Sequence, residues 1–79
     1  MLEEILELYS EEELLIADGF NDAIIGIDGN SLRIIYSVTK CIEILMKDMP
    51  EEDALEYFSY NVSGAYVGEK TPIWCEDNF

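Results

Sequence analysis

Apolar residues recur along this chain in two rhythms, a helical spacing and short β-branched runs, and their order predicts its elements. Leu2, Ile5, Leu6 and Tyr9 fall at i, i+3, i+4 and i+7, one face of an amphipathic helix. Glu3, Glu4, Glu7 and Glu11 take the remaining faces. Ser10 followed by Glu13 matches a capping box ahead of Leu14-Leu15-Ile16, so either a second short helix starts there or the first continues with a bend. Asp18-Gly19 ends it. Ala23-Ile24-Ile25-Gly26-Ile27 is a β-branched run, Asp28-Gly29-Asn30-Ser31 is turn-like, and Arg33-Ile34-Ile35-Tyr36 is strand-like again. Together they predict a hairpin with a loop of about four or five residues. Gly26 inside the first strand marks a bulge or the close approach of a helix.

Ser37 is placed to cap a helix from Val38 to about Asp48. Its apolar face is Val38, Cys41, Ile42, Leu45, Met46 and Met49, and its polar face is Lys40, Glu43 and Lys47, the last two in the favourable i,i+4 order. Pro50 starts the next helix, with Glu51, Glu52 and Asp53 in its first turn, where the macrodipole favours negative charge. Leu55, Phe58, Val62 and Ala65 are expected inside; Glu52, Asp53, Glu56, Tyr60 and Ser63 outside; and Tyr57 at the margin. Gly64 costs about 1 kcal/mol in a helix interior and suits close packing. Gly68 is the expected stop. Thr71-Pro72 leads into Ile73-Trp74-Cys75, a short edge strand able to join the hairpin, and Glu76 to Phe79 form a frayed tail. The order of elements predicts an α+β fold: helices over one face of a small antiparallel β-sheet built from the hairpin and the C-terminal strand, preceded by an acidic N-terminal helix. Residues 1–79 form one small domain, an acidic helical segment over 1–17 and an α+β core over 20–75.

Composition leaves that picture intact but changes what it can touch. Hydrophobic residues make up 49% of the 79, enough for a folded core, and a homo-oligomer fits so small a domain. Eighteen acids against four bases and no histidine give a formal charge of −14. Residues 1–32 carry nine of the acids and no base. Phosphate backbones and anionic lipids are bound by Lys and Arg, so the chain should avoid both and be drawn to basic protein surfaces. Cys41 and Cys75 make no disulfide framework, and no CxxC or histidine accompanies them as zinc ligands; buried reduced thiols are expected. The opening Met-Leu-Glu-Glu lacks the basic start of a signal peptide, and no apolar run approaches the ~20 residues of a membrane span, which predicts a cytosolic protein.

Catalysis has little support: the chain has no histidine, GxSxG, P-loop or GxGxxG, and no enzyme activity, cofactor or metal is expected. Asp28-Gly29-Asn30-Ser31 has its glycine too early for a calcium loop and reads as a turn. Asp18, Asn21 and Asp22 make at most a weak cation site. The candidate chemistry is the acids themselves. Glu3, Glu7 and Glu11 are spaced i,i+4, about 6 Å apart along a helix, and Glu52 and Glu56 repeat that spacing beside Asp53. Such rows match a line of phosphates in spacing and sign. The plainer alternative is a solvated face that keeps a small protein soluble, although the charge exceeds the magnitude of about 2–8 that suffices for this. Tyr57 and Tyr60 beside these acids are either interface aromatics or cover for the core margin and a neighbouring helix.

The stretch from Phe20 to Trp74 resembles small uncharacterised acidic proteins encoded by tailed bacteriophages. Its carriers are Asp22-Ala23-Ile24-Ile25-Gly26, Tyr36-Ser37-Val38-Thr39-Lys40-Cys41-Ile42-Glu43, and the run from Ala54 to Gly68 with Thr71-Pro72. The resemblance implies a phage or prophage origin, and hence residence in the host cytoplasm, and brings no catalytic site. The acidic N-terminal segment lies outside it. Charge and origin together predict an inhibitor that presents Glu3, Glu7, Glu11, Glu52, Asp53, Glu56, Tyr57 and Tyr60 to the basic surface of a host nucleic-acid-binding or defence protein. This would be a DNA mimic or an anti-CRISPR protein, without binding nucleic acid or membrane itself. The alternatives are an accessory or structural phage protein assembling through apolar surface such as Ile44, Tyr57 or Trp74, and an oligomeric sponge or enzyme for a small signalling molecule.

Overall fold

In the computed structural model, which describes residues 1–78, the hairpin forms where the β-branched runs place it: β1 spans Ile24–Asp28 and β2 spans Arg33–Ser37. They pair antiparallel, with Ile24 opposite Tyr36 and Ile27 opposite Ile34. The register shifts between Ile24 and Gly26, the bulge that the glycine marked. In the connecting turn the Asp28 carboxylate accepts from the Asn30 N–H at 3.0 Å and the Ser31 hydroxyl at 2.9 Å. These donors hold it below the usual carboxylate range, the Asn30 N–H most. Leu32 closes the turn in the left-handed region, at φ 59°.

From β2 the chain enters α2, Val38–Leu45, capped as expected by the Ser37 hydroxyl accepting from the Lys40 N–H at 3.1 Å. This helix is shorter than the predicted run to Asp48. Lys47 and Asp48 close tight turns onto Ile44 and Leu45, and Met46 is exposed instead of inside. Pro50 precedes α3, Glu51–Tyr57, and the chain continues in wider π turns over Phe58–Ser63. Ala54 and Phe58 face the core, while Leu55 and Ala65, both expected inside, are exposed. Ala54 takes the buried position of α3 in place of Leu55, and Ala65 lies beyond Gly64, where the helical turns have ended, so it no longer follows a helical face. Gly64 ends this segment, not Gly68: a Cβ at Gly64 would lie 2.8 Å from the Ser59 carbonyl oxygen. Gly68 instead sits at φ 112° in the next loop, its carbonyl accepting from the Thr71 hydroxyl at 2.6 Å.

The third strand, β3, is Ile73–Cys75, and it makes the architecture α+β with a three-stranded sheet in the order β1-β2-β3. The sheet is mixed and not antiparallel throughout. β3 runs parallel to β2, with Ile35 opposite Ile73, Tyr36 opposite Trp74 and Ser37 opposite Cys75. Residues 38–72 supply the helical crossover that a parallel neighbour needs. The Arg33 side chain donates to the Thr71 carbonyl and ties the start of β2 to the approach of β3. Beyond β3 the tail is not frayed at Asp77, whose carboxylate accepts from the Thr39 N–H at 3.1 Å on the first turn of α2. The Ser37 hydroxyl and this N–H lower its pKa. Phe79, the last residue of the predicted tail, lies outside the described residues.

Near the N-terminus, α1 spans Leu2–Leu8 and packs on β1 through Ile5, with Leu2 and Tyr9 alongside and Leu6 exposed. No second helix forms over Leu14-Leu15-Ile16. The chain crosses the core there without helical turns because tertiary partners claim it. The Tyr36 hydroxyl accepts from the Ala17 N–H at 2.7 Å, and Leu14 and Ala17 pack on the core. That core joins Ile5, Phe20, Ile24, Ile34, Tyr36, Cys41, Ile42, Ala54 and Phe58. Trp74 stacks at its edge, 5.0 Å from the Tyr36 ring and edge-on to Phe58 at 5.4 Å. Burial pushes the Cys41 thiol up to about 12. Among the described residues, no helix is long and apolar enough to cross a membrane.

Candidate interaction surface

Of the residues singled out by spacing, Asp53, Glu56 and Tyr57 stand at i, i+3 and i+4 on one face of α3, and Tyr60 joins them from the π turns that follow. Burial of Ala54 and Phe58 on the opposite face turns this one outward. The four, with Asn61, line an open hollow of about 310 Å³. Tyr60 is 78% exposed and Tyr57 45%, so neither ring is absorbed by the core. Glu52 is exposed on the same helix but outside the hollow's lining. Glu3 and Glu7 are exposed on α1. Glu11 is exposed too, but α1 stops at Leu8 and Glu11 lies in the following turn. The row Glu3, Glu7, Glu11 is therefore broken after its second member and is not a straight helical line.

The carboxylates have few internal partners. Among the described residues the one ion pair joins the N-terminal ammonium to Glu4 at 3.2 Å. Glu43 and Lys47, favourably spaced in sequence, do not close to ion-pair distance, and Arg33 is committed to the Thr71 carbonyl. The negative charge is thus left for solvent or a partner to neutralise.

A second feature was not read from the sequence. Leu15, Ile16, Val62, Val67 and Trp74 line a trough of about 370 Å³, with Asp18 among its polar residues. Tyr57 and Asn61 line both this trough and the acidic hollow, so the two are continuous. The trough was missed because its walls come from three separated stretches of chain. One signal was available: Leu14-Leu15-Ile16 are consecutive, and a short amphipathic helix cannot bury all three. Only Leu14 turns to the core, leaving Leu15 and Ile16 on the trough. Trp74 also carries a buried indole N–H without an acceptor among the described residues.

No family model, curated protein or solved structure matches the chain, so the surface is interpreted through its own chemistry.

Proposed function

We propose that this chain is an acidic interaction protein of phage origin, acting in the host cytoplasm, that inhibits a nucleic-acid-binding or defence protein by occupying its basic surface. The observation that carries this reading is the pairing of uncompensated charge with exposed aromatic area. Glu52, Asp53 and Glu56 have no basic partner within ion-pair distance among the described residues, and Tyr57 and Tyr60 stand exposed among them. Carboxylates of this kind set association rate and specificity, and the tyrosines add contact that excludes water. The N-terminal acids Glu3 and Glu7 extend the negative field from a separate element.

The test is capture from bacterial host lysate by tagged protein, washed at low and then high salt, followed by titration of what is recovered. One basic nucleic-acid-handling protein, released by salt and displaced by DNA, is the expected outcome. Replacing Glu52, Asp53 and Glu56 by Lys should then weaken binding at least tenfold and flatten its salt dependence. Lys in the first turn opposes the helix dipole, so Glu52→Gln, Asp53→Asn and Glu56→Gln together serve as the milder variant. Unchanged binding by either folded variant overturns the proposal. A second reading, assembly through apolar surface, is favoured by the exposure of Leu8 (79%) and Tyr66 (78%) and predicts self-association that survives high salt.

A further inference from the structure

The apolar trough and the acidic hollow meet at Tyr57 and Asn61, so whatever covers one lies beside the other. The trough offers Ile16 and Val67 at its rim, 39% and 58% exposed, with Trp74 at its inner side. Its margins carry Asp18 and, across Tyr57, Asp53 and Glu56. An occupant must therefore present apolar side chains to the centre and positive charge to the edges. A second copy of this chain fails that requirement, since each copy carries −14 and would bring carboxylates against carboxylates. A basic polypeptide segment with one apolar face meets it.

We infer that the trough is the anchoring site for a basic amphipathic segment of the partner protein, its apolar side chains seated between Ile16, Val67 and Trp74 and its Lys or Arg residues facing Asp18, Asp53 and Glu56. This inference rests on the proposed function and makes it more specific. A pure phosphate mimic needs only cationic partners, whereas this surface requires a cationic segment that also carries apolar residues at i and i+4 on one side. The charge brings the segment in, and the trough retains it, so removing the apolar contacts should act mainly on dissociation.

The probes are three synthetic peptides of equal length: one with Leu at i and i+4 spacing and Lys elsewhere, an oligo-lysine, and the first with every Lys replaced by Glu. Fluorescence anisotropy gives affinity, and Trp74, the only tryptophan in the chain, reports occupancy of the trough through its emission. The Leu/Lys peptide should bind at least tenfold tighter than oligo-lysine and shift Trp74 emission. The Glu peptide should not bind. Ile16→Ser with Val67→Ser, both at exposed rim positions, should reduce the Leu/Lys affinity to the oligo-lysine level while leaving oligo-lysine binding unchanged. Equal affinity for the two cationic peptides, or indifference of the Leu/Lys peptide to the rim variant, overturns the trough but leaves the acidic surface standing. Failure of both cationic peptides to bind overturns the surface as well. Dimers that the rim variant converts to monomers would assign the trough to a second copy and overturn the inference.

Discussion

Replacing Tyr36 by Phe isolates the hydrogen bond that ties residues 14–17 to the sheet, leaving the packing of Leu14 and Ala17 in place. The ring stays: it is fully buried, stacked 5.0 Å from Trp74, and a phenylalanine fills the same space. Only the hydroxyl is lost, and with it the acceptor for the Ala17 N–H at 2.7 Å. A made hydrogen bond contributes roughly 0.5–1.5 kcal/mol net, and a fully buried donor left without a partner costs about 1–3 kcal/mol. Ala17 is half-buried, so water can partly replace the lost acceptor and the lower end applies. The expected loss is about 1 kcal/mol. With a urea slope near 1 kcal/mol/M for so small a domain, the midpoint should fall by roughly 1 M.

Urea titration followed by Trp74 emission measures that shift, and amide exchange localises it. The Ala17 amide should lose protection while those of β2 keep theirs. Tyr66→Phe is the control, since Tyr66 is 78% exposed and should change neither quantity. A Tyr36→Phe midpoint equal to wild type, with the Ala17 amide still protected, would refute the argument that this hydroxyl prevents residues 14–17 from coiling. Because Leu15 and Ile16 belong to the same stretch, the variant should also weaken the Leu/Lys peptide a few-fold.

Two further outcomes follow from buried titratable groups and from the turn. Burial raises the pKa of Tyr36 from 10.0 and lifts Cys41 from 9.0 to about 12, so the folded state retains protons that the unfolded chain gives up. The stability from keeping both groups neutral is complete below about pH 9, then falls as pH climbs toward 12, by at most about 1.4 kcal/mol per pH unit for each group. Cys41→Ala should remove the earlier part of that decline, and an alkaline titration of the urea midpoint reads it. Leu32, at φ 59°, should tolerate Gly with a small gain, whereas Leu32→Val should cost about 1 kcal/mol, because a β-branched side chain is strained at positive φ; equal midpoints for the two variants would contradict this.

What could be read in the sequence was whatever local chemistry decides. Short β-branched runs and the Asp-Gly-Asn-Ser turn between them placed the hairpin, since Asp28 closes that turn with its own neighbours. Ser37 announced α2 because an N-cap acts within one turn. The elements that eluded the pattern are those settled at a distance. Ser10 and Glu13 have the spacing of a capping box, yet the Ala17 amide goes to a hydroxyl nineteen residues away. β3 looked like a third antiparallel strand, but its direction depends on how the intervening helices cross the sheet. Ala65 was assigned by extending one helical phase past Gly64, where the helical turns have already ended, and Leu55 was assigned to a face whose buried position is taken by Ala54.

The acidic surface shows the same division. Asp53, Glu56 and Tyr57 come together because their spacing lies on one element, whose opposite face is fixed by Ala54 and Phe58, and Tyr60 joins them from the π turns that follow. Glu11 departs from Glu3 and Glu7 because α1 ends between them. Apart from the apolar surplus of Leu14-Leu15-Ile16, the trough had no local signature, since Ile16, Val62, Val67 and Trp74 meet only after the crossover brings β3 beside β2. Charge alone would make this protein a general polyanion, attracted to any basic surface. Joining that charge at Tyr57 to an apolar trough distinguishes it from a polyanion, because a cationic surface without apolar side chains satisfies only half of what this face presents. Selectivity should therefore reside in residues 15–17, 62–67 and 74, and encounter rate in Glu52, Asp53 and Glu56. Substitutions in the first set should act on dissociation and those in the second on salt-dependent association.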